Sequence, residues 1–453
     1  MAVWSVVLKS KLEGSTRLDP EYYQPFYLQI SSSLEKQNYV ELGSVALISD
    51  GDHAVMPELF DSGKRYLRAK DLQNFQIDNS DSIYISEEYF QTIQRSHIKP
   101  NDILLSIMGT IGNIAIVPEN SEIMTANRAV AIIRFQEESA FDPYFIAAYL
   151  ESKIGIALRE RESQGGIQQR INLEGLKRLK IPFISSILQR KVKEKVLAAL
   201  NRYKDSEKIY AQAEALLLHE LGLDNLDLST QKSYVANFSE TVESDRLDAE
   251  YYNPKYTVLI NYLHNIPHSK LGYIASFSNG ATPTGAKYLE KGIPFLRIQN
   301  IGKNLLNLDD VVYIDKKIHN RILKRSQLQP GDVLITITGR IGTAAVIPDS
   351  LIDANMNQHS VRLRIHNNQI NPYYLSVFLN SKAGLLQTDR ESYGATRDAL
   401  PYYCLEKIII PIVSLDLQNE VEAKIRAAEK TLKEAKSLLE QAKHQVEQII
   451  LGG

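Results

Sequence analysis

Apolar and small residues recur at Val421, Ile425, Ala428, Leu432, Ala435, Leu439, Ala442, Val446 and Ile449, in alternating steps of four and three. That is the heptad spacing of a helical seam, and it predicts a long α-helix over 417–453. A looser version, Val192, Val196, Ala199, Tyr203, Ser206, Tyr210, Ala213, Leu217 and Glu220, predicts a second helix over 188–222, stopped at Leu221-Gly222. At 1.5 Å per residue, each would be about 50 Å long. Matched seams favour mutual pairing over two solvated lone helices. Elsewhere the pattern is different. Asp102–Met108, Asp332–Thr338, Ala129–Phe135 and Val361–Ile365 are short β-branched runs bounded by turn residues, which predicts strands. Helices are predicted over Pro143–Glu160 and Pro372–Arg390, with Asp142 and Asn371 as N-caps ahead of a first-turn proline. Tyrosine-rich lead-ins with helical spacing occupy 17–40 and 246–270, and their tyrosines are expected to dock on another element.

The predicted elements occur twice in the same order. Arg17–Tyr27 returns as Arg246–Tyr256, a shift of 246 − 17 = 229 residues, which also aligns Tyr66-Leu67-Arg68 with Phe295-Leu296-Arg297. One inserted residue raises the shift to 230 for Pro100–Leu104 against Pro330–Leu334, and for Gly109 and Gly112 against Gly339 and Gly342. It returns to 229 by Pro143/Pro372 and holds through Ile181-Pro182…Gln189 and Ile410-Pro411…Gln418. So long a period marks a duplicated domain, since solenoid units repeat every ~20–50 residues. The expected fold is α+β (mixed α/β). A first domain with its lead-in helix spans 1–187 and a helix 188–222; a second domain spans 223–416 and a helix 417–453.

Composition narrows the class. A chain of 453 residues with 44% hydrophobic and 23% charged residues has ample material for two cores. No apolar run approaches the roughly 20 residues of a membrane span. The start, Met1-Ala-Val-Trp, lacks the pattern of a signal peptide, so a cytoplasmic location is expected. A lone cysteine, Cys404, rules out an intramolecular disulfide and a cysteine-based zinc site. The net charge of −2 does not point to nucleic acid, although a local basic face could still exist.

Catalytic motifs are weak. Asn371-Pro-Tyr-Tyr374 and Asp142-Pro-Tyr-Phe145 approach the Asn/Asp-Pro-Pro-Tyr/Phe motif of amino-methyltransferases. Both lack the second proline, and no glycine-rich loop follows a strand to hold a methyl donor. Helix capping accounts for both. No Walker loop is present, and the histidines lack metalloprotease spacing. Asp102 and Asp332 precede strands, where a turn explains them better than a nuclease site. No enzymatic activity is expected from this chain.

The loops carry the remaining signal. Ile107–Asn113 and Ile337–Thr343 follow a strand with two glycines three apart. Such glycines permit a sharp turn and a close approach to a ligand, or simply a tight hairpin. Two further loop pairs, Gly51–Ala54 against Gly280–Lys287 and Ser163–Arg170 against Ser392–Arg397, differ strongly between the copies. The frame repeats while the tips diverge, as in a molecule that reads two different things.

In this order and duplication, the Pro-x-Asp-Ile/Val-Leu strands, the Gly-x-x-Gly turns and the Ile-Pro…Leu-Gln lead into a heptad helix resemble the specificity (S) subunits of type I restriction–modification systems. The resemblance covers nearly the whole chain. It implies two target-recognition domains that each read half of a bipartite, asymmetric double-stranded DNA site. It also implies long helices paired antiparallel as a pseudo-twofold spacer. Modification (M) subunits, two of them, would dock on the helices and lead-ins and bring the methyl donor. Restriction (R) subunits would join through them and bring ATP and Mg; no cofactor is expected on this chain itself. The sequence departs from the family pattern at Gly51–Ala54, which lacks the Thr-Pro of Thr282-Pro283, and at Tyr402–Cys404, where the first copy has the polar Gln169–Asn172. Loop positions are therefore the candidates for DNA contact. In the first domain they are Lys64, Arg65, Arg68, Thr110, Asn113, Asn127, Arg128, Gln168 and Arg170. In the second they are Thr282, Thr284, Lys287, Arg297, Arg340, Thr343, Asn357, Gln358, Tyr393 and Arg397. Arg or Lys suits guanine and Asn or Gln suits adenine in the major groove. Arg68 and Arg297 share one aligned position and could instead tie the fold together. The rival function is a protein–protein adaptor with duplicated binding domains.

Overall fold

Both halves of the sequence adopt one mixed α/β arrangement in the computed structural model, which describes residues 5–7, 17, 19–54, 57–109, 111–165, 169–282, 285, 287–393 and 399–451. Contacts divide the chain into two units, residues 1–204 with 432–453, and residues 205–431.

In the first unit, strands Ala46–Asp50, Val130–Phe135, Ile103–Ser106 and Ile114–Ile116 form a four-stranded antiparallel sheet in that order. The second unit repeats it with Ala275–Asn279, Ser360–Ile365, Val333–Thr336 and Ala344–Val346. The central strands carry buried apolar runs, Val130–Ile133 and Val333–Ile335, because both faces are covered there. Side chains alternate across a strand, so Ile103 and Leu105 join the helical core while Leu104 joins a smaller cluster with Ala115 and Val117. Val333, Ile335 and Leu334 divide the same way. A second, smaller sheet pairs Lys64–Leu67 in parallel with Met124–Ala126, matched by Ile293–Leu296 with Asn355–Met356.

The repeated Pro-x-Asp motif has a structural role. Asp102 is buried and accepts the Lys99 amide at 2.7 Å and a two-pronged Arg134 guanidinium at 2.8 and 2.6 Å. Asp332 accepts the Gln329 amide at 2.8 Å and Arg364 at 2.7 Å on both prongs. Each carboxylate thus ties a turn to the neighbouring strand.

The two helices expected after the sheet are each broken. The chain forms Pro143–Leu150 and Lys153–Glu162, then Pro372–Asn380 and Lys382–Glu391 in the second unit. At the breaks, Ser152 and Ser381 bond back to Tyr149 O and Phe378 O, both at 2.6 Å, and cap the next helix. A Cβ on Gly155 would lie 2.2 Å from Tyr149 O, and one on Gly384 would lie 2.3 Å from Phe378 O. Glycine allows this close turn. The expected caps are present: Asp142 accepts the Tyr144 amide at 2.9 Å, and Asn371 accepts the Tyr373 amide at 2.8 Å.

The seam helices run Ser186–Glu220 and Leu415–Leu451. In the first unit, Val192, Val196, Ala199 and Tyr203 share a core with Ala435, Leu439, Ala442 and Val446. Arg202, late in its segment, faces Glu434, early in its own, at 3.6 Å, so these segments are antiparallel. In the second unit the Ser206 hydroxyl donates to Ala428 O at 2.9 Å, and Ala213 and Leu217 share a core with Val421 and Ile425. The seam slips by one residue at both C-terminal ends. Leu221 is buried where Glu220 was expected, and Ile450 where Ile449 was expected. A straight helix of 3.6 residues per turn drifts from a 3.5-residue repeat. The repeated Gln189 and Gln418 anchor each helix start: their side-chain oxygens accept the Asp142 and Asn371 amides at 2.8 and 2.7 Å.

The lead-ins dock within their own units. Tyr22 lies between Arg17 and Arg161, at 4.8 and 4.2 Å from its ring, and Tyr251 lies between Arg246 and Arg390 at 4.7 and 4.4 Å. Such stacking suits guanidinium groups. No helix among the described residues is long and apolar enough to cross a membrane.

Candidate nucleic-acid interface

Four backbone hydrogen bonds gather five chain segments, at the bases of the loops, at one end of each main sheet. In the first unit Asn127 N bonds Leu67 O at 2.9 Å, Asp52 N bonds Ala126 O at 2.7 Å, and Ile107 N bonds Ala129 O at 2.8 Å. Ile171 N completes the set on Ile107 O at 3.1 Å. The second unit repeats it with Asn357 N on Leu296 O at 3.0 Å, Ala281 N on Met356 O at 3.3 Å and Ile337 N on His359 O at 3.0 Å. There Leu400 N bonds Ile337 O at 2.9 Å. Gly51 and Gly280 make this possible, because a Cβ there would lie 2.2 Å from Asn127 O and 1.9 Å from Asn357 O. The Gly-x-x-Gly turn needs glycine for its backbone: φ is +76° and +102° at Gly109 and Gly112, and +68° and +82° at Gly339 and Gly342.

The candidate side chains fall into two groups. The first is committed to the protein. Lys64 pairs with Glu87 at 3.5 Å. Arg65 donates to Ile83 O and Asp78 O at 3.3 and 3.0 Å, and burial pulls its pKa down. Arg68 grips Asp71 through Nε and Nη2 at 3.1 and 2.9 Å, and Arg297 holds Asp310 O at 2.7 Å. The aligned arginines therefore tie a turn to the strand that precedes it. Asn127 and Asn357 cap their turns by accepting the Ala129 and His359 amides at 3.1 and 3.2 Å. Asn113 and Thr343 are fixed through the main chain only: their backbone amides donate to the Ser106 and Thr336 hydroxyls at 2.8 and 3.1 Å, which leaves their side chains uncommitted by these bonds. Tyr393, half-exposed, stacks with Arg246 at 5.2 Å.

The second group faces solvent. Arg128 and Arg170 in the first unit, and Lys287 and Arg340 in the second, are exposed and make no side-chain ion pair or hydrogen bond among the described residues. Thr282 and Gln358 are also exposed and bond each other. Thr110, Gln168, Thr284 and Arg397 lie outside the described residues.

Sequence reasoning missed several neighbours. In the first unit, Asp50 holds His53 at 2.6 Å and Arg95 at 3.1 Å beside the loop. Tyr89 donates to Asp52 at 2.6 Å, and burial followed by that carboxylate pushes the phenol up to about 12, so it remains a donor. In the second unit, His359 and Thr338 join the Thr282–Gln358 pair. No local pattern flags these residues, which come together only through the fold. The arrangement presents fixed backbone turns with two free cations per unit, suited to phosphates and base edges, and side chains that differ between the units.

A family model described as "Type I restriction modification DNA specificity domain" matches residues 35–193 and 266–443. The type I restriction enzyme EcoBI specificity subunit of Escherichia coli is 31% identical over 140 residues, 30% of this chain and 28% of that protein. The match thus spans little more than a quarter of that relative's length. Among solved structures, the type I restriction–modification S subunit from M. genitalium aligns over 91% of this chain and 95% of its own, at 16% identity and a TM-score of 0.40. The HsdS subunit from Thermoanaerobacter tengcongensis aligns over 92% and 96%, at 15% identity and a TM-score of 0.31.

Proposed function

This chain belongs to the family of type I restriction–modification DNA specificity domains, and from that premise we propose that it is the DNA-reading subunit of such a complex. Each domain contacts one half of a bipartite, asymmetric site in double-stranded DNA. One observation carries this reading: equivalent backbone bonds hold the same five loop-base segments at the same sheet end in both domains, while the side chains of the loops differ. A shared frame with unlike tips suits two unlike half-sites.

In this proposal the chain supplies recognition and no chemistry. Two modification subunits bring the methyl donor, and restriction subunits joined through them bring ATP and Mg. The seam helices set the spacing of the half-sites and receive the modification subunits, and the complex works in the cytoplasm. The side chains that meet DNA are the free ones, Arg128, Arg170, Lys287 and Arg340, with Thr282 and Gln358. Arg68 and Arg297 shape the turn beneath them.

The near-neutral net charge of −2 favours a second reading, a protein–protein adaptor. Salt dependence separates the two. Three free cations on phosphates, Arg170, Lys287 and Arg340, at about 0.9 counterion each, give a log–log slope of about −3 for DNA binding, and steeper with partner contributions. Measured on duplex DNA with the complex of this chain and its modification subunit, that slope is the expected result. A flat dependence, or no DNA retained at about 50 mM salt, favours the adaptor.

A further inference from the structure

Asn127-Arg128-Ala129 and Asn357-Gln358-His359 align at a shift of 357 − 127 = 230 residues and form the same turn. In both, the asparagine side chain accepts the amide two residues on, at 3.1 and 3.2 Å. The residue between them is exposed in both. One frame therefore presents an arginine in the first domain and a glutamine in the second.

Their surroundings differ. Arg128 has no side-chain partner among the described residues. Gln358 is held at both ends of its amide: Oε1 accepts the Thr282 hydroxyl, and Nε2 lies 3.3 Å from His359 Nε2. His359 Nδ1 is in turn 2.9 Å from Thr338 Oγ1. With Gln358 donating to His359 Nε2, the imidazole proton sits on Nδ1 and is donated to Thr338. A carboxamide has two acceptor lone pairs and two N–H donors. After these bonds the exposed Gln358 keeps one of each. That is the complement of adenine, which offers an N6–H donor and an N7 acceptor in the major groove. The free fork of Arg128 complements the O6 and N7 acceptors of guanine. An exposed glutamine gains little stability from such bonds, whereas fixing its rotamer in advance lowers the cost of binding.

We propose that positions 128 and 358 are an equivalent base-reading pair: Arg128 reads a guanine in the first half-site and Gln358 an adenine in the second. Thr282, His359 and Thr338 are positioning residues for Gln358. This rests on the DNA-reading function proposed above.

The test is methylome sequencing of cells that carry this chain and its modification subunit. Q358A leaves the first half-site intact and relaxes one A·T pair of the second, by about tenfold to a hundredfold in discrimination. Q358R moves that pair toward G·C, and R128Q moves one pair of the first half-site from G·C toward A·T. T338V weakens discrimination several-fold at the pair that Q358A relaxes, while T338S preserves it. An unchanged motif in Q358A, or relaxation at a G·C pair, overturns the assignment. Equal motifs for T338V and the parent overturn the positioning role. If Q358A methylates nothing, competition binding to duplexes altered one pair at a time replaces the readout, and discrimination retained at every A·T pair overturns the assignment. A parent chain that directs no bipartite motif overturns the DNA-reading function itself, a distinct outcome.

Discussion

Exchanging residues 1–204 together with 432–453 for the matching unit of another family member is expected to replace one half of the recognised site completely and leave the other as it was. The unit has to move whole. Its sheet and helices share a core with Ala435, Leu439, Ala442 and Val446, and the Gln37 side chain donates to Ile450 O at 2.6 Å. A cut that left 432–453 behind would expose these apolar faces, each large side chain costing about 1.5–3 kcal/mol. The loop tips of the second unit are positioned by bonds within residues 205–431, so their half-site should persist. Methylome sequencing reads both halves at once. A change in both halves, or in neither, contradicts independent reading.

Asp332→Ala is expected to destabilise the second unit by about 3–4 kcal/mol, because removing one partner of a buried ion pair leaves the other uncompensated. Asp332 is 2% exposed and satisfies two donors of Arg364 and the Gln329 amide. Arg364 is itself partly exposed, which argues for the lower end of that range. For a unit of this size, ~2–4 °C is lost per kcal/mol, so its melting transition should fall by roughly 10 °C. Arg364→Met in the same chain should recover part of the loss, since the stranded charge is gone. A shift under about 2 °C for Asp332→Ala would contradict the clamp. The carboxylate lies at the start of the strand whose far end carries the Gly339–Gly342 turn, so DNA binding by the second half-site should weaken on heating before that by the first.

The frame was legible where the pattern is local. Short β-branched runs bounded by turn residues found the strands around Leu104 and Leu334, and proline with Asp142 or Asn371 found the helix starts. Heptad spacing found the seam, missing only its one-residue slip at Leu221 and Ile450. The breaks at Ser152 and Ser381 were not legible, because apolar spacing runs through them and only the close approach of Gly155 and Gly384 to a carbonyl forces the turn. Asp102 and Asp332 read as ordinary turn residues because Arg134 and Arg364 lie 32 residues away in sequence. The site was legible only as loops. Arg65, Arg68 and Arg297 have the right chemistry for DNA and are occupied by carbonyls and carboxylates of their own turns, which no one-dimensional pattern reveals. His359 and Thr338 gain meaning only once Gln358 and Thr282, 76 residues apart in sequence, meet.

Two unlike half-sites read by two copies of one frame is the central claim. Methylome sequencing of cells expressing this chain with its modification subunit tests it most directly. Adenine methylation at a single bipartite motif, with two different halves separated by a fixed gap, is the result this account predicts. Methylation at an undivided motif, or none that depends on this chain, would contradict it.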